Sequence, residues 1–272
     1  MPEPPARIED VETFMLDMDG VLYLEDKPIG RAIEAVNELR AYGCDLVFLT
    51  NNSTKSRREY VEKLSKMGIE AEESEIMTSA YATAIYLSEK SGNSSCYVIG
   101  EDGLKEELEN KAIEIVSRDN SEEASYVVVG MDRGINYEKI RAALRALLSG
   151  AKFIGTNPDP TYPTERGLEP GAGACIGAVS GAIDDEPSLI IGKPSTYMLR
   201  AYLNEAGIKS SSTAVVGDRV DTDVKAGKEM NMISVLVLTG ATEADDLSEL
   251  DGKYAPDYVF ESLSEMVREV NE

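Results

Sequence analysis

The chain alternates short apolar, β-rich runs with helical stretches of about 10 to 15 residues. That alternation predicts parallel βαβ units with helices on both faces of a sheet. Five runs read as buried strands of one sheet: "TFMLD" (13–17), "DLVFLT" (45–50), "SLIIG" (188–192), "TAVVGD" (213–218) and "ISVLVL" (233–238). Between the first two, "GRAIEAVNELRAYG" has the apolar spacing of a helix, with Gly43 placed as its C-terminal stop. Helical patterns also run through "SRREYVEKLSKMG", "PSTYMLRAYLNEAG" and "DVKAGKEM".

The middle of the chain carries its own set. "SCYVIG" (95–100), "IEIV" (113–116), "SYVVVG" (125–130) and "KFIGT" (152–156) read as strands. "GLKEELEN" and "NYEKIRAALRALLSG" read as helices, the second with Asn136 as N-cap. The pattern predicts an α/β chain whose core is a Rossmann-like, doubly wound parallel sheet. Residues 1–79 and 189–272 would form that core, with a second α/β unit, residues 80–188, inserted into it.

In open parallel sheets, ligands gather at the carboxyl ends of the strands, near the point where strand order reverses. The first predicted strand ends in Asp17 and Asp19, and the second in Thr50-Asn51-Asn52-Ser53. The third leads to Gly192-Lys193-Pro194, and the fourth ends in Gly217-Asp218, with Asp221 and Asp223 just beyond. The fifth ends without recognisable chemistry. Brought together, these ends supply three or four carboxylates, one lysine, one hydroxyl and several backbone N–H groups. Carboxylates so close repel, and some keep their protons unless a cation is present. A hard divalent metal with oxygen ligands resolves the conflict, and Mg²⁺ typically uses one or two carboxylates plus substrate phosphate. The lysine, hydroxyl and loop N–H groups bind anions. An acidic metal site beside an anion-binding rim describes phosphoryl transfer.

The Asp-x-Asp spacing then acquires two roles. Asp17 would attack phosphorus as a carboxylate nucleophile. Asp19 would protonate the leaving oxygen and later deprotonate the hydrolytic water. Gly20 lets the backbone turn sharply toward a phosphate. Each motif alone has a plainer reading: a solvated turn for Asp-x-Asp-Gly, a helix-capping loop for "TNNS", a capped turn for "GDRVDTD". "GKPS" lacks the upstream glycine of a P-loop, and Val21 and Leu22 stand where an EF-hand needs an oxygen ligand and Gly. The joint order, each motif at a predicted strand end, carries the argument.

Composition narrows the chemistry. The 272 residues contain no histidine and no tryptophan, so a Ser-His-Asp triad, a Cys-His pair and an HExxH zinc site are excluded. Catalysis is left to carboxylates, Lys, Ser, Thr, Tyr or a bound metal. Cys44, Cys96 and Cys175 are far apart and form no CxxC, which suggests neither a thiolate zinc site nor a disulfide framework. The net charge of −23 speaks against nucleic acid as a partner. The most basic stretch, "KSRREYVEKLSK" (55–66), has the acidic partners of a solvated helix face. No apolar run approaches the roughly 18 residues of a membrane helix. "MPEPPARIEDVE" lacks the basic start and apolar middle of a signal peptide, so a cytoplasmic location is expected.

With these motifs in order, "LDMDGV" (16–21), "LTNNS" (49–53), "GKPS" (192–195) and "VVGDRVDTD" (215–223), the chain resembles the haloacid dehalogenase superfamily over nearly its whole length. The stretch between the second and third motifs resembles that family's type II cap, in its IIA form, which would make residues 80–188 an inserted α/β cap domain. Within it, "GTNPDPTYPTERGLEPGAGA" (155–174) is similar to the cap of the NagD-like p-nitrophenylphosphatase branch. The resemblance implies a Mg²⁺-dependent phosphatase of small phosphorylated metabolites. Asp17 would be nucleophile and metal ligand. Asp19 would be acid/base and bind metal through its carbonyl. Asp218 would be a further ligand, with Asp223 supporting the metal shell and Asp221 as the alternative. The phosphoryl group would be held by Asp19, Gly20, Thr50, Asn51, Asn52 and Lys193, and Lys193 would also orient Asp17. Tyr162, Asn157 and Asp159 of the cap would face the substrate, although the histidine that pyridoxal phosphatases tend to carry nearby is missing. Relatives often form homodimers through the cap, so a homodimer is one assembly open to this chain.

A metal-independent dehalogenase would share the Asp17 nucleophile but need neither Asp19 nor Asp218. A phospho-accepting signalling module also combines Asp, Thr, Lys and Mg²⁺, but is less than half this length and lacks both the Asp-x-Asp spacing and an inserted cap. Transfer to a second substrate instead of water stays open.

Overall fold

The computed structural model describes residues 7–90, 94–164, 167–243 and 252–270. The chain divides into two compact units: Met1–Thr50, Val61–Met77 and Lys193–Glu272 form the first, Asn51–Tyr60 and Thr78–Gly192 the second.

The first unit is built on a six-stranded sheet in the order Tyr258–Phe260, Ile233–Val237, Thr213–Gly217, Thr13–Asp17, Asp45–Thr50, Ile76–Thr78. Its central pairings are parallel. Every residue of Thr13–Asp17, Thr213–Gly217 and Ile233–Val237 is buried. Such strands have both faces covered, which is why they read as continuous apolar runs rather than alternating ones. From Thr13–Asp17 the chain builds outward to Asp45–Thr50 on one side, and Thr213–Gly217 lies on the other. Strand order therefore reverses at Thr13–Asp17. Its register sets Leu16 opposite Val216 and Asp17 opposite Leu49, so Asp17, Thr50 and Asp218 all lie at one edge of the sheet. The helices Ala32–Ala41 and Tyr197–Ala206 both end before a glycine of positive φ, Gly43 at +85° and Gly207 at +70°.

The second unit has a parallel sheet of its own, in the order Leu189–Ile190, Lys152–Gly155, Tyr126–Val129, Ser95–Ile99, Glu114–Ile115. Tyr97, Ile99, Val127, Val129 and Phe153 pack against Ala142, Ala143 and Ala146 of the helix Tyr137–Leu148 and against Cys175, Ile176 and Val179 of Ala172–Ile183. The Asn136 side chain accepts a hydrogen bond from the Lys139 amide at 3.1 Å, the expected N-cap, an interaction worth about 1 kcal/mol.

One strand expectation is corrected. The apolar run "SLIIG" predicts a strand of the core sheet, but its ladder residues Leu189–Ile190 pair with Lys152–Gly155 in the second unit. Ser188 starts that ladder by donating its amide and hydroxyl to the Phe153 carbonyl, at 2.9 and 2.8 Å. Ile191 and Gly192 continue it onto the Gly155 and Thr156 carbonyls. An apolar run reports burial, not which of two parallel sheets supplies the partner.

No helix among the described residues is long and apolar enough to cross a membrane.

Candidate active site

At the end of Thr13–Asp17 the chain folds into a tight turn. The Met18 amide donates to the Leu49 carbonyl at 3.1 Å, the Leu22 amide to Met18 at 2.9 Å and the Gly20 amide to Tyr23 at 2.9 Å. Gly20 has φ +85°, and a Cβ there would run into the Asp218 carboxylate, so the turn and the neighbouring carboxylate both require glycine. A short hairpin, Tyr23–Leu24 with Lys27–Pro28, follows.

Three carboxylates meet at this edge. One oxygen each of Asp17, Asp218 and Asp223 lies within 4.8 Å of the others, and all three side chains are buried. Lys193, 2 % exposed, donates through Nζ to Asp17 and to Asp223, the latter at 2.5 Å. When all three are ionised, three carboxylates against one ammonium leave a surplus of two negative charges in a buried place. Burial holds the Asp17 carboxyl well above its usual range, against the pull of Lys193, and the Asp223 and Asp218 charges add to the rise. Burial likewise pushes Asp218 up to about 6, reinforced by Asp223. Burial works against the Lys193 ammonium, but Asp17 and Asp223 more than offset it and keep the lysine charged.

Asp19 is half-buried on the turn, and burial raises its carboxyl above the usual range despite Lys63 and Lys193. Thr50, 3 % exposed, closes its strand. Asp223 belongs to the carboxylate cluster. Asp221 does not: its side chain is 70 % exposed and pairs with Arg219 at 2.9 Å.

The strand Ile233–Val237, expected to end without chemistry, supplies the loop that secures this edge. Thr239 donates its hydroxyl to the Gly20 carbonyl at 2.6 Å, and the Ala241 amide donates to the Asp218 carboxylate at 2.6 Å. Gly240 sits between them, where a Cβ would strike Asp218. "TGAT" holds no ionisable group, so the only signal in the sequence was its position at a strand end.

The remaining sequence-predicted residues belong to the second unit. Asn51 Nδ2 donates to Asp159 Oδ2 at 2.9 Å, and Asn157 Nδ2 donates to the same oxygen at 2.7 Å. Asn52 Oδ1 accepts from the Thr54 amide and hydroxyl, at 2.9 and 2.8 Å, which closes a local turn. Tyr162, on the hairpin Thr161–Thr164 with Gly167–Pro170, donates its hydroxyl to Glu169 at 2.8 Å.

Three glycines of the second unit crowd the segment after Asn51. A Cβ on Gly192 would stand 2.6 Å from Asn51 Oδ1. One on Gly130 would stand 2.6 Å from Ser53 Oγ and 3.0 Å from Thr156 Oγ1, and one on Gly103 would collide with the Lys55 backbone. The Gly103 amide also donates to the Thr54 carbonyl at 3.2 Å.

Residues 14–114 match the family described as haloacid dehalogenase-like hydrolase, and residues 190–266 match a related description of haloacid dehalogenase-like hydrolases. An acid sugar phosphatase of Staphylococcus epidermidis is 37 % identical over 259 residues, which cover 95 % of this chain and 98 % of that one. A p-nitrophenyl phosphatase from Archaeoglobus fulgidus superposes with a TM-score of 0.89 at 42 % identity, covering 96 % of this chain and 99 % of the other. NagD from Escherichia coli K-12 superposes with a TM-score of 0.85 at 30 % identity, over 94 % and 98 % of the two chains. The chain therefore belongs to the haloacid dehalogenase-like hydrolases. Within them it is a phosphatase of the NagD-like branch, the branch that the resemblance of the stretch 155–174 implies.

Proposed function

We propose that this phosphatase hydrolyses small phosphate monoesters, sugar phosphates among them, with Mg²⁺ and through an aspartyl-phosphate on Asp17. The observation that carries the proposal is the buried trio Asp17, Asp218 and Asp223 with one lysine among them, which when fully ionised has a surplus of two negative charges. The donor set fits a hard divalent cation: it offers only carboxylate oxygens, and two positive charges balance the surplus. Asp17, Asp218 and Asp223 would hold the ion, and its charge, when bound, would stabilise negative charge on the phosphoryl oxygens.

The chain's own groups divide the remaining work. An Asp17 oxygen attacks phosphorus as the bond to the ester oxygen breaks, and the proton of the Asp19 carboxyl passes to that departing oxygen. The raised proton affinity of Asp19 suits it to this acid role. Asp19, now ionised, takes a proton from water as the water oxygen bonds to phosphorus, and inorganic phosphate leaves Asp17. Lys193 orients Asp17 and faces the incoming negative charge, while the Thr50 hydroxyl and the Asn51 segment hold the phosphoryl oxygens. The name of the staphylococcal relative supports sugar phosphates as the natural class.

The proposal is tested with p-nitrophenyl phosphate and a panel of sugar phosphates, with Mg²⁺ or with chelator. Turnover is expected only with the metal. Full activity in chelator overturns the metal assignment.

The folded protein holds a proton on Asp218 up to about pH 6, against a usual value of 3.8. Between those values the folded state binds more protons than the unfolded one, so this group's contribution to stability is full below pH 3.8 and is lost as pH rises through 6. A bound cation removes that loss, whereas at low pH the proton competes with it. Mg²⁺ should therefore raise Tm clearly at pH 8 and much less at pH 5. Equal increments at the two pH values in thermal unfolding would speak against this linkage.

A further inference from the structure

We propose that Asp159 is a positioning residue that acts through Asn51, and that the Asn51 side chain is an anchor rather than a substrate contact. The inference rests on the reading, given above, that the Asn51 segment serves the phosphoryl group. It reassigns Asp159, which the family resemblance implies to be among the residues facing the substrate.

The hydrogen bonds define the anchor. Asp159 Oδ2 accepts from Asn51 Nδ2 at 2.9 Å and from Asn157 Nδ2 at 2.7 Å. An asparagine amide is planar, so fixing its N–H on a carboxylate fixes which way its oxygen points. That oxygen lies beside Gly192, where even a Cβ would come to 2.6 Å. The Asn51 backbone is held as well, since Ser79 Oγ donates to the Asn51 carbonyl at 2.6 Å. With the side chain tied to Asp159 and the carbonyl tied to Ser79, the orientation of the Asn51–Asn52 peptide is set. A carboxylate aimed at a phosphate dianion would repel it, but a carboxylate that accepts two amide N–H bonds is put to use as an acceptor.

Asp159 is itself firmly seated. Its carbonyl accepts from the Gly173 amide at 2.8 Å, and the neighbouring Pro160 carbonyl accepts from Gly171 at 2.8 Å. Added Cβ atoms on Gly171 and Gly173 would meet the backbone of residues 158–161, so this approach depends on both glycines. Asn157, 5 % exposed, receives the Thr156 hydroxyl on its Oδ1 at 2.9 Å, which fixes its amide as the second donor to Asp159. The stretch 156–159 thus acts on Asn51 from a rigid base.

A double-mutant cycle tests the inference, with kcat, KM and vanadate inhibition measured on the Mg²⁺-loaded enzyme and Tm as a check on folding. Asn51→Ala and Asp159→Ala should each lower kcat/KM roughly 10- to 100-fold, the cost of a misplaced binding group. The loss should be similar for p-nitrophenyl phosphate and for sugar phosphates, and vanadate inhibition should weaken in step. In the Asn51→Ala background, Asp159→Ala should add less than about twofold, because its effect passes through the residue already removed. Asp159→Asn keeps an oxygen that accepts from both amides and should stay within about threefold of the parent. Full activity of Asn51→Ala would refute the reading that Asn51 serves the phosphoryl group. Slow Asn51→Ala beside fully active Asp159→Ala would refute the positioning role alone, as would full additivity. A changed substrate ranking in Asp159→Ala would instead make Asp159 a substrate contact.

Discussion

Asp17→Asn should leave a folded protein whose turnover of p-nitrophenyl phosphate falls by at least about 10⁴-fold. The substitution changes almost no volume but replaces a nucleophilic carboxylate by an amide that does not attack phosphorus. It also removes one of three clustered negative charges, so the buried surplus falls and Tm in chelator should hold or rise. Loss of rate with retained Tm separates chemistry from folding. A rate within tenfold of the parent would exclude Asp17 as nucleophile. Asp19→Asn offers a sharper contrast. p-Nitrophenolate leaves without a proton, so Asp17 should still be phosphorylated, and release of the phosphate should stall. Rapid mixing should then show one equivalent of p-nitrophenolate followed by a steady rate about 10²- to 10⁴-fold slower than the parent. A steady rate near the parent's would remove Asp19 from catalysis.

Lys193→Met should produce the largest change in stability. Lys193 donates to both Asp17 and Asp223, and all three side chains are buried. Removing the ammonium leaves three carboxylates facing one another without the counter-charge that Lys193 supplies. Breaking a buried pair from one side costs about 3–5 kcal/mol. Denaturant unfolding in chelator should show a loss of that order at pH 8. Lowering the pH should restore part of it. The raised proton affinities of Asp17 and Asp218 mean that the folded state takes up protons first, so stability is retained at low pH and lost as pH rises. Mg²⁺ should recover stability by supplying positive charge, yet leave activity low, because Asp17 is no longer oriented. Equal stability of parent and variant in chelator would show that the lysine does not carry this charge balance.

The core could be read from the sequence because its strands are covered on both faces. "TFMLD", "TAVVGD" and "ISVLVL" are continuous apolar runs, and each forms the expected strand. The functional end of the sheet followed, since Asp17 and Asp218 are polar residues placed where apolar runs stop. Pairing partners are another matter. "SLIIG" is as apolar as a core strand, but its partner is decided by the Phe153 and Gly155 carbonyls, which no local pattern reveals. Strands Ile76–Thr78 and Tyr258–Phe260 hold three residues each and give too little pattern to detect. The helix Ser79–Ser88 buries nearly all of its residues, so it has no polar stripe to mark it. The helix Ala172–Ile183 carries Gly173, Gly177 and Gly181, which argue against a helix on propensity alone. The Thr239–Ala241 loop acts through a hydroxyl, an amide and a missing side chain, none of which stands out in a string of letters.

Gly103, Gly130 and Gly192 carry a consequence for how this enzyme tolerates change. Positive φ is not what they require, because none of the three lies in the left-handed region. What each contributes is a missing methyl group, and the three lie far apart in the chain while pressing on one short loop. A saturation scan scored on phosphatase activity should show three impaired positions with no reactive atom among them. Gly130→Ala, whose new carbon would stand 2.6 Å from Ser53 Oγ, should slow turnover while the Mg²⁺ concentration needed for half-maximal activity stays unchanged. Evolution toward new substrates would then have to leave these positions fixed and vary the side chains around them.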